Sequence, residues 1–267
     1  MLDFSYPHRR LNPLTGEWVL VSPHRSKRPW KGTVEASQEQ KLPEYDPACY
    51  LCPENKRSND ETNPKYTDTF VFTNDHSALL QDTGEGTFTE GDQLIHAQQE
   101  RGVCRVICYS PSHRLTMADM TTEQILTIIK TWTSEYQTIG ARKDISSVQI
   151  FENKGPLMGA SSPHPHGQIW ANEHLPTNIM KELTMQTAYT QKHSSPMLLD
   201  YLALEQKEGQ RLIYQNNSFT LLVPFWATWP YETILLPKSH KPSLTELTET
   251  EQQDLSHILK YITSRYD

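Results

Sequence analysis

Glycine is scarce in this chain, 11 of 267 residues, which excludes a collagen-like repeat. Long apolar runs are missing too: nothing approaches the roughly 18 consecutive apolar residues of a membrane helix. Residues 1–10 lack the apolar core of a secretory signal. Hydrophobic residues reach only 36%, yet a chain of this size still buries about 70–75% of its unfolded surface. The 25 aromatic residues are spread over the whole length, which argues against disorder. Basic side chains are outnumbered, 25 against 32, which argues against a general nucleic-acid binder. What is left is a soluble globular chain of one large or two medium domains. It is expected in the cytoplasm, with neither membrane nor nucleic acid as partner.

The charge is unevenly placed. Residues 1–31 hold Arg9, Arg10, Arg25, Lys27, Arg28 and Lys31 against Asp3 and Glu17. On a chain of net charge −7 this basic opening points to a local anion site, or to a solvated basic patch. Cysteine is equally limited, with four copies in two pairs. Cys104 and Cys108 lie in a β-branched run, where even spacing sets both thiols on one strand face as small core residues. Cys49 and Cys52 lie between Pro47 and Pro53, where neither a helix nor a strand period is visible. In a reducing compartment such a pair is a metal clip or a redox site. The redox reading needs a helix directly after the pair, and Pro53-Glu-Asn-Lys-Arg-Ser-Asn59 offers none. Zinc is favoured, and it needs two further ligands.

Hydrophobic patterning predicts strands at 17–21, 69–72, 103–109, 148–151, 211–214, 219–223 and 233–236. Residues 22–66 and 82–101 read as long loops, of the kind that are functional or metal-stapled. Ile125, Ile128, Ile129, Trp132 and Tyr136 recur at helical spacing behind a capping box of Thr121 and Gln124. Leu255, Ile258, Leu259 and Ile262 do the same behind Thr248 and Glu251. A weaker helix covers 196–208. Strands mixed with a few long helices give the α+β class.

Part of this pattern repeats. Val106-Ile-Cys-Tyr-Ser-Pro-Ser-His113 and Thr233-Ile-Leu-Leu-Pro-Lys-Ser-His240 share a strand followed by Ser-His, with the histidines 127 residues apart. Asp119-Met-Thr121 and Glu246-Leu-Thr248 stand at the same offset, and the helix stripes match at 130. In the first copy a strand and a histidine-rich segment follow, at 148–170. Their counterparts would fall near 275–297, past Asp267, so the chain is expected to be a fragment whose second half is incomplete.

The segment with the densest chemistry is Phe151-Glu-Asn-Lys-Gly-Pro-Leu-Met-Gly-Ala-Ser-Ser-Pro-His-Pro-His-Gly-Gln-Ile-Trp170. In an extended chain His164, His166 and Gln168 project together, with Pro165 and Gly167 on the other face. Pro165 donates no ladder hydrogen bond, which places an edge or a strand end here. Gly167 would let the backbone approach a ligand closely. The small residues from Gly155 to Ser162 offer amides and hydroxyls to a phosphate. The bland alternative is a polar strand with two surface histidines.

These residues resemble galactose-1-phosphate uridylyltransferases, a branch of the histidine-triad superfamily. The matching segments are Pro7-His-Arg-Arg, Asn12-Pro-Leu-Thr-Gly, Ser22-Pro-His-Arg-Ser-Lys-Arg-Pro-Trp30, Cys49-Tyr-Leu-Cys52, Phe72-Thr-Asn-Asp75 and Glu152-Asn-Lys-Gly155. They continue through Ser161 to Trp170, Ser195-Pro-Met-Leu198 and Pro230-Tyr-Glu-Thr, and His-Pro-His-Gly-Gln is the most specific of them. The resemblance implies two histidine-triad-like halves, each a mostly antiparallel sheet with packed helices. The first, 1–175, would carry the zinc site and the catalytic motif, and the second, 176–267, would be truncated.

The implied reaction is ping-pong: UDP-glucose gives its uridylyl group to the enzyme, glucose 1-phosphate leaves, and galactose 1-phosphate takes the group to form UDP-galactose. His166 would be the nucleophile, its second ring nitrogen held by an acceptor such as a backbone carbonyl. Gln168 would bond a phosphoryl oxygen, together with Ser161. Arg25 and Arg28 match positions on the nucleotide phosphates, Asn74 and Asp75 the uridine-binding stretch, and Asn153, Gly159 and Ser161 positions around the phosphates. Zinc would take Cys49, Cys52, His113 and His164, although a cap or turn role for His113 is equally open from the residues alone. A second metal, iron in the family, would use Glu182 with histidines that this chain does not contain, leaving Glu182 as a solvent-exposed helix carboxylate. His240 would be structural, and a homodimer is implied. The competing readings are a zinc-stabilised nucleotide-binding module, a related nucleotidylyltransferase or phosphorylase acting on another nucleotide, and, least favoured, a zinc nucleic-acid binder.

Overall fold

The computed structural model describes residues 2–29 and 42–267. Trp30 of the matched arginine segment and Lys31 of the basic opening lie outside them. The chain forms β1 (His8–Leu11), β2 (Trp18–Val21), β3 (Phe70–Thr73), β4 (Thr87–Glu90), β5 (Ile95–Gln98), β6 (Gly102–Cys108) and α1 (Thr122–Gly140). There follow β7 (Ser147–Phe151), β8 (His166–Asn172), α2 (Thr177–His193), α3 (Met197–Glu208), β9 (Leu212–Gln215), β10 (Phe219–Leu222), β11 (Ile234–Pro237) and α4 (Glu249–Tyr266). The strand ladders are antiparallel, so the fold is α+β. Two compact units result. One joins the N-terminal segment to Thr177–Lys241, the other the segment ending at Pro176 to Pro242–Asp267.

The second of these units carries the sheet that matters for function, in the order β3-β6-β8-β7. Its inner strand β6 is Val- and Ile-rich and buried along nearly its whole length. On β8 burial alternates, with Gly167, Ile169 and Ala171 buried and His166, Gln168 and Trp170 more open. Cys108 pairs with His166 and Val106 with Gln168, so the open face of β8 continues the face of β6 that packs on the cysteine loop. Strand β8 starts directly after Pro165 and has neighbours on both sides. The proline therefore marks a strand end rather than a sheet edge.

Helices α1 and α4 pack against each other. Ile125, Ile128 and Ile129 are buried on α1, and Leu255, Ile258 and Ile262 on α4. Each such side chain stabilises the fold by about 1.5–3 kcal/mol relative to exposure. Both capping boxes are formed, Thr121 with Gln124 and Thr248 with Glu251, and each satisfies backbone donors that a helix start leaves unpaired.

In the other unit β11, β10 and β9 form a sheet in that order. Helix α3 covers it through Leu198, Tyr201 and Leu202, which pack with Leu212, Leu222, Ile234 and Leu236. Arg211 Nε donates to both oxygens of buried Glu205, at 2.9 and 2.8 Å. Removing one partner of such a pair costs about 3–5 kcal/mol.

One expectation changes, and one helix appears where none was expected. Residues 82–101 hold the hairpin β4–β5 instead of a continuous loop. Every residue of both strands is exposed, so no buried face imposes an alternation that could be read from sequence. Helix α2 spans 17 residues and buries none of them, which leaves it without an apolar stripe for the same reason. Among the described residues no helix is long and apolar enough to cross a membrane.

Candidate metal centre and active site

The cysteine loop has no regular secondary structure, and its backbone carbonyls are bonded by side chains. Asn55 Nδ2 donates to Cys49 O at 2.8 Å, and Asn63 Nδ2 donates to Tyr50 O at 2.9 Å and Cys52 O at 3.0 Å. Tyr66 Oη donates to Leu51 O at 2.6 Å. Four successive carbonyls are thereby satisfied, which holds a buried irregular segment in one shape. Asn55, Asn63 and Tyr66 were not singled out from sequence, because nothing in their spacing distinguishes a carbonyl clamp from ordinary loop polarity.

This shape brings Cys49, Cys52, His113 and His164 together. All four are buried, and their donor atoms lie within 4.8 Å of one another. Cys52 Sγ is 3.6 Å from Nδ1 of each histidine. A tetrahedral ion with bonds of about 2.3 Å to sulfur and about 2.0–2.1 Å to nitrogen separates those atoms by about 3.6 Å. The donor set thus fits a four-coordinate metal and leaves no position open. Nε2 of His164 lies 2.9 Å from Ser110 O, so Nε2–H donates there and Nδ1 presents its lone pair to the cluster. Burial lowers the His164 pKa to about 4 and pushes the Cys52 thiol up to about 11, with the adjacent Cys49 contributing to the latter. His113 takes no part in capping α1, whose N-cap is Thr121.

The structure separates His164 from His166, which the extended reading places side by side. Ser162 Oγ accepts the backbone N–H of His164 at 3.2 Å, a local turn that breaks the period-2 pattern before β8 begins. His164 goes into the metal cluster, and His166 is left half-buried on the open face of β8. Nδ1–H of His166 donates to the carbonyl of His164 at 2.7 Å. That bond fixes the tautomer in which Nε2 carries the available lone pair. Gln168 follows on the same face, its Oε1 accepting from Trp170 Nε1 at 3.3 Å.

Gly167 serves the interior rather than a ligand. A Cβ built there would collide with the Tyr109 hydroxyl and lie 2.8 Å from Tyr109 Cζ and 3.1 Å from Phe151 O. The Tyr109 hydroxyl is itself buried without a hydrogen-bond partner among the described residues.

The small-residue loop is less available to an anion than its composition implies. Gly155 and Gly159 adopt φ of +86° and +82°, conformations that favour glycine. The amides of Met158, Gly159 and Ala160 are engaged within the turn, at 3.1, 3.0 and 3.2 Å from carbonyls of Gly155, Pro156 and Gly155. Ser161 remains exposed, its Oγ 3.0 Å from Tyr50 Oη. Ser162 Oγ lies 3.8 Å from Cys49 Sγ. The cysteine loop therefore meets the small-residue loop through two adjacent pairs.

Asn74 and Asp75 directly follow β3. The Asn74 N–H donates to Cys104 O at 2.9 Å, and Asn74 Oδ1 accepts from the His76 amide, also at 2.9 Å. Asn153 lies just after β7, half-buried. His166, Gln168, Ser161, Gly159, Asn153, Asn74 and Asp75 all belong to the unit that holds the metal cluster. Arg25 and Arg28 belong to the other unit, on the exposed 3-10 turn Pro23–Lys27 and its C-cap. Glu182 lies on α2, half-buried rather than solvent-exposed, with burial raising its pKa. Among the described residues it joins no cluster of three or more His, Cys, Asp or Glu ligands. The residues described thus do not make a second metal site.

Comparison with known proteins gives a consistent set of relatives. The profile for the galactose-1-phosphate uridyl transferase N-terminal domain matches residues 2–176, and the C-terminal domain profile matches 182–267. The galactose-1-phosphate uridylyltransferase of Haemophilus influenzae is 49% identical over 262 residues, covering 98% of this chain and 74% of the relative. The Saccharomyces cerevisiae protein of the same name is 40% identical over 277 residues, covering 99% and 76%. A solved structure described as a uridylyltransferase superposes with a TM-score of 0.71 at 28% identity, over 94% of this chain and 72% of that one.

Proposed function

The chain belongs to the galactose-1-phosphate uridylyltransferase family of nucleotidyltransferases, and on that premise we propose that it moves a uridylyl group from UDP-glucose to galactose 1-phosphate. The observation that carries the mechanism is His166, with Nδ1–H tied to the His164 carbonyl at 2.7 Å and Nε2 left as the nucleophile. Nε2 attacks the α-phosphorus of UDP-glucose. An N–P bond forms as the bridging P–O bond breaks, and its electron pair leaves with glucose 1-phosphate. A phosphate oxygen of galactose 1-phosphate then attacks the same phosphorus and returns the imidazole. The ring is positively charged while it carries the uridylyl group, and the His164 carbonyl stabilises that charge.

Gln168 bonds a phosphoryl oxygen without serving as an acid. None is required, because a sugar phosphate leaves as a stable anion. The Ser161 hydroxyl and Asn153 hold further phosphate oxygens, and the left-handed turn at Gly159 returns the chain to Ser161. Arg25 and Arg28 bind nucleotide phosphates through bidentate guanidinium contacts, and Asn74 and Asp75 take the nucleoside. Cys49, Cys52, His113 and His164 would hold zinc, which would supply a structural cross-link. His164 in that cluster, two residues before His166, would tie down the start of its strand. The division at 175/176 separates two histidine-triad-like halves, a reading supported by the limits of the two domain profiles. A homodimer in the cytoplasm completes the proposal.

The test is incubation with UDP-glucose labelled in the uridylyl group. An acid-labile adduct on His166 is expected, with label passing on to galactose 1-phosphate. An adduct that persists in His166→Gly refutes the nucleophile. Preferential labelling by another nucleotide refutes the substrate and favours a related nucleotidylyltransferase or phosphorylase. Binding without any adduct favours a nucleotide-binding module.

A further inference from the structure

Beyond Cys52 the cysteine loop continues to Arg57 and Ser58, closed by the Lys56–Thr62 bridge and by Arg57 N–H donating to Glu61 O at 2.8 Å. The Arg57 side chain is 6% exposed, an unusual place for a guanidinium. It lies over the Phe72 ring, 4.3 Å from the centroid. Its Nη2 pairs with Glu61, and its Nη1 lies 3.7 Å from Oδ1 of Asp75, whose side chain is 7% exposed. The other Asp75 oxygen, Oδ2, accepts from Ser58 Oγ at 3.3 Å.

Charge-assisted contacts close to about 2.7–2.9 Å, and Arg57 makes its close pair with Glu61 rather than with Asp75. Nη1 stops short of Asp75, and Arg57 Nε is buried with no hydrogen-bond partner among the described residues. Asp75 is thus held from two sides by charge and by one hydroxyl, yet each of its oxygens retains acceptor capacity. A carboxylate fixed in this way suits a pair of vicinal hydroxyls.

We propose that Arg57 and Ser58 are positioning residues that orient Asp75 toward the ribose hydroxyls of a uridine diphosphate sugar, so that the cysteine loop sets ribose selectivity. This rests on the reading of Asp75 as a nucleoside-binding residue, and the experiment separates the two ideas. Dissociation constants are measured by calorimetry for the unreactive ligand uridine diphosphate and for its 2′-deoxy and 3′-deoxy ribose analogues. The proteins are the unmodified chain, Asp75→Ala, Arg57→Met, Arg57→Lys and Ser58→Ala, each checked for melting temperature and zinc content.

The unmodified chain is expected to favour the ribonucleotide over at least one analogue by tenfold or more. Asp75→Ala brings that ratio close to one. Arg57→Met lowers it at least fivefold, Arg57→Lys restores part of it, and Ser58→Ala lowers it about twofold. If Arg57→Met does not fold, a reduced ratio in folded Arg57→Lys and Ser58→Ala supports the proposal, and an unchanged ratio in both overturns it. A ratio lost in Asp75→Ala and retained in every Arg57 and Ser58 variant overturns the positioning role and leaves Asp75 in place. A ratio retained in Asp75→Ala, or absent from the unmodified chain, overturns the reading of Asp75 and the proposal with it.

Discussion

A strand followed by Ser-His occurs twice, after β6 and after β11, and the two copies part company at the histidine. After β6, His113 is 2% exposed and stands in the cluster with Cys49, Cys52 and His164. After β11, His240 is exposed. The short motif is shared, so it does not itself specify a ligand. The neighbours do. Strand β6 has partners on both sides, β3 and β8, whereas β11 pairs with β10. It is β8 whose lead-in supplies His164, and the loop before β3 supplies the cysteines. A histidine can serve as a ligand only where the topology delivers other donors to it, as it does for His113.

The widest gap between the copies should appear on deleting each histidine. Structural zinc contributes about 10–16 kcal/mol in small metal-dependent domains. Losing a third of that, about 3–5 kcal/mol, lowers the melting temperature by about 6–10 °C in a chain of this size. His113→Ala is expected to show such a fall together with loss of bound zinc, and His240→Ala neither. Thermal melting with metal analysis decides it, and equal effects of the two changes would end the comparison.

A second difference lies under the strands. Tyr109 at the end of β6 corresponds to Leu236 on β11, and only the tyrosine requires a glycine opposite, Gly167. Gly167→Ala is expected to cost about 3 kcal/mol, the upper range for overpacking. Adding Tyr109→Leu, the residue of the other copy, should recover most of that loss in urea denaturation. Full cost in the double variant would show that the Phe151 carbonyl is the obstacle instead.

How legible these features were in the sequence follows the same physics. Helices α1 and α4 were readable because Ile125, Ile128 and Ile129, like Leu255, Ile258 and Ile262, must face a partner, and period 3.6 records that need. The α+β class follows from hydrophobic patterning, and the Cys49–Cys52 pair and the histidine motif from local chemistry, while His113 and His164 as partners of the cysteines and the role of His166 come from the resemblance. The hairpin β4–β5 and helix α2 left no such record, since neither buries a face. A turn signal at Gly91-Asp92, where φ is +61° and +53°, was the one clue to the hairpin. Sequence alone points Gly167 toward a ligand because its crowding comes from Tyr109, a contact made by pairing across β6 and β8. The separation of His164 from His166 hinges on one hydroxyl, Ser162 Oγ, which alternation alone does not encode.

Protons should also distinguish the copies. A metal held by this cluster would bind the Cys52 thiolate, and this thiol is pushed up to about 11 by burial. The His164 pKa is lowered to about 4, so above pH 5 that imidazole is already neutral and competes little with metal. Binding must therefore release thiol protons, and affinity falls as pH falls. At least a tenfold loss per pH unit is expected between pH 8 and pH 6, measured by competition with a chelator whose own pH dependence is known. His240→Ala should leave that slope unchanged, and a flat profile would mean that the thiols are ionised before metal arrives.

The smallest effect tests where the copies agree. Gln124 N–H donates to Thr121 Oγ1 and Glu251 N–H to Thr248 Oγ1, both at 3.3 Å. The return bonds are 2.9 Å from the Thr121 amide and 2.8 Å from the Thr248 amide. Thr121→Ala and Thr248→Ala should each cost about 1 kcal/mol. The reciprocal changes should differ slightly. Glu251 also accepts from the Thr248 hydroxyl at 2.9 Å, and its charge complements the helix N-terminus, so Glu251→Ala is expected to exceed Gln124→Ala by about 0.5 kcal/mol at low salt. That margin should vanish in about 1 M salt, where the Debye length is about 3 Å, while the threonine costs persist. If the margin survives high salt, the two helix starts differ in packing rather than in charge.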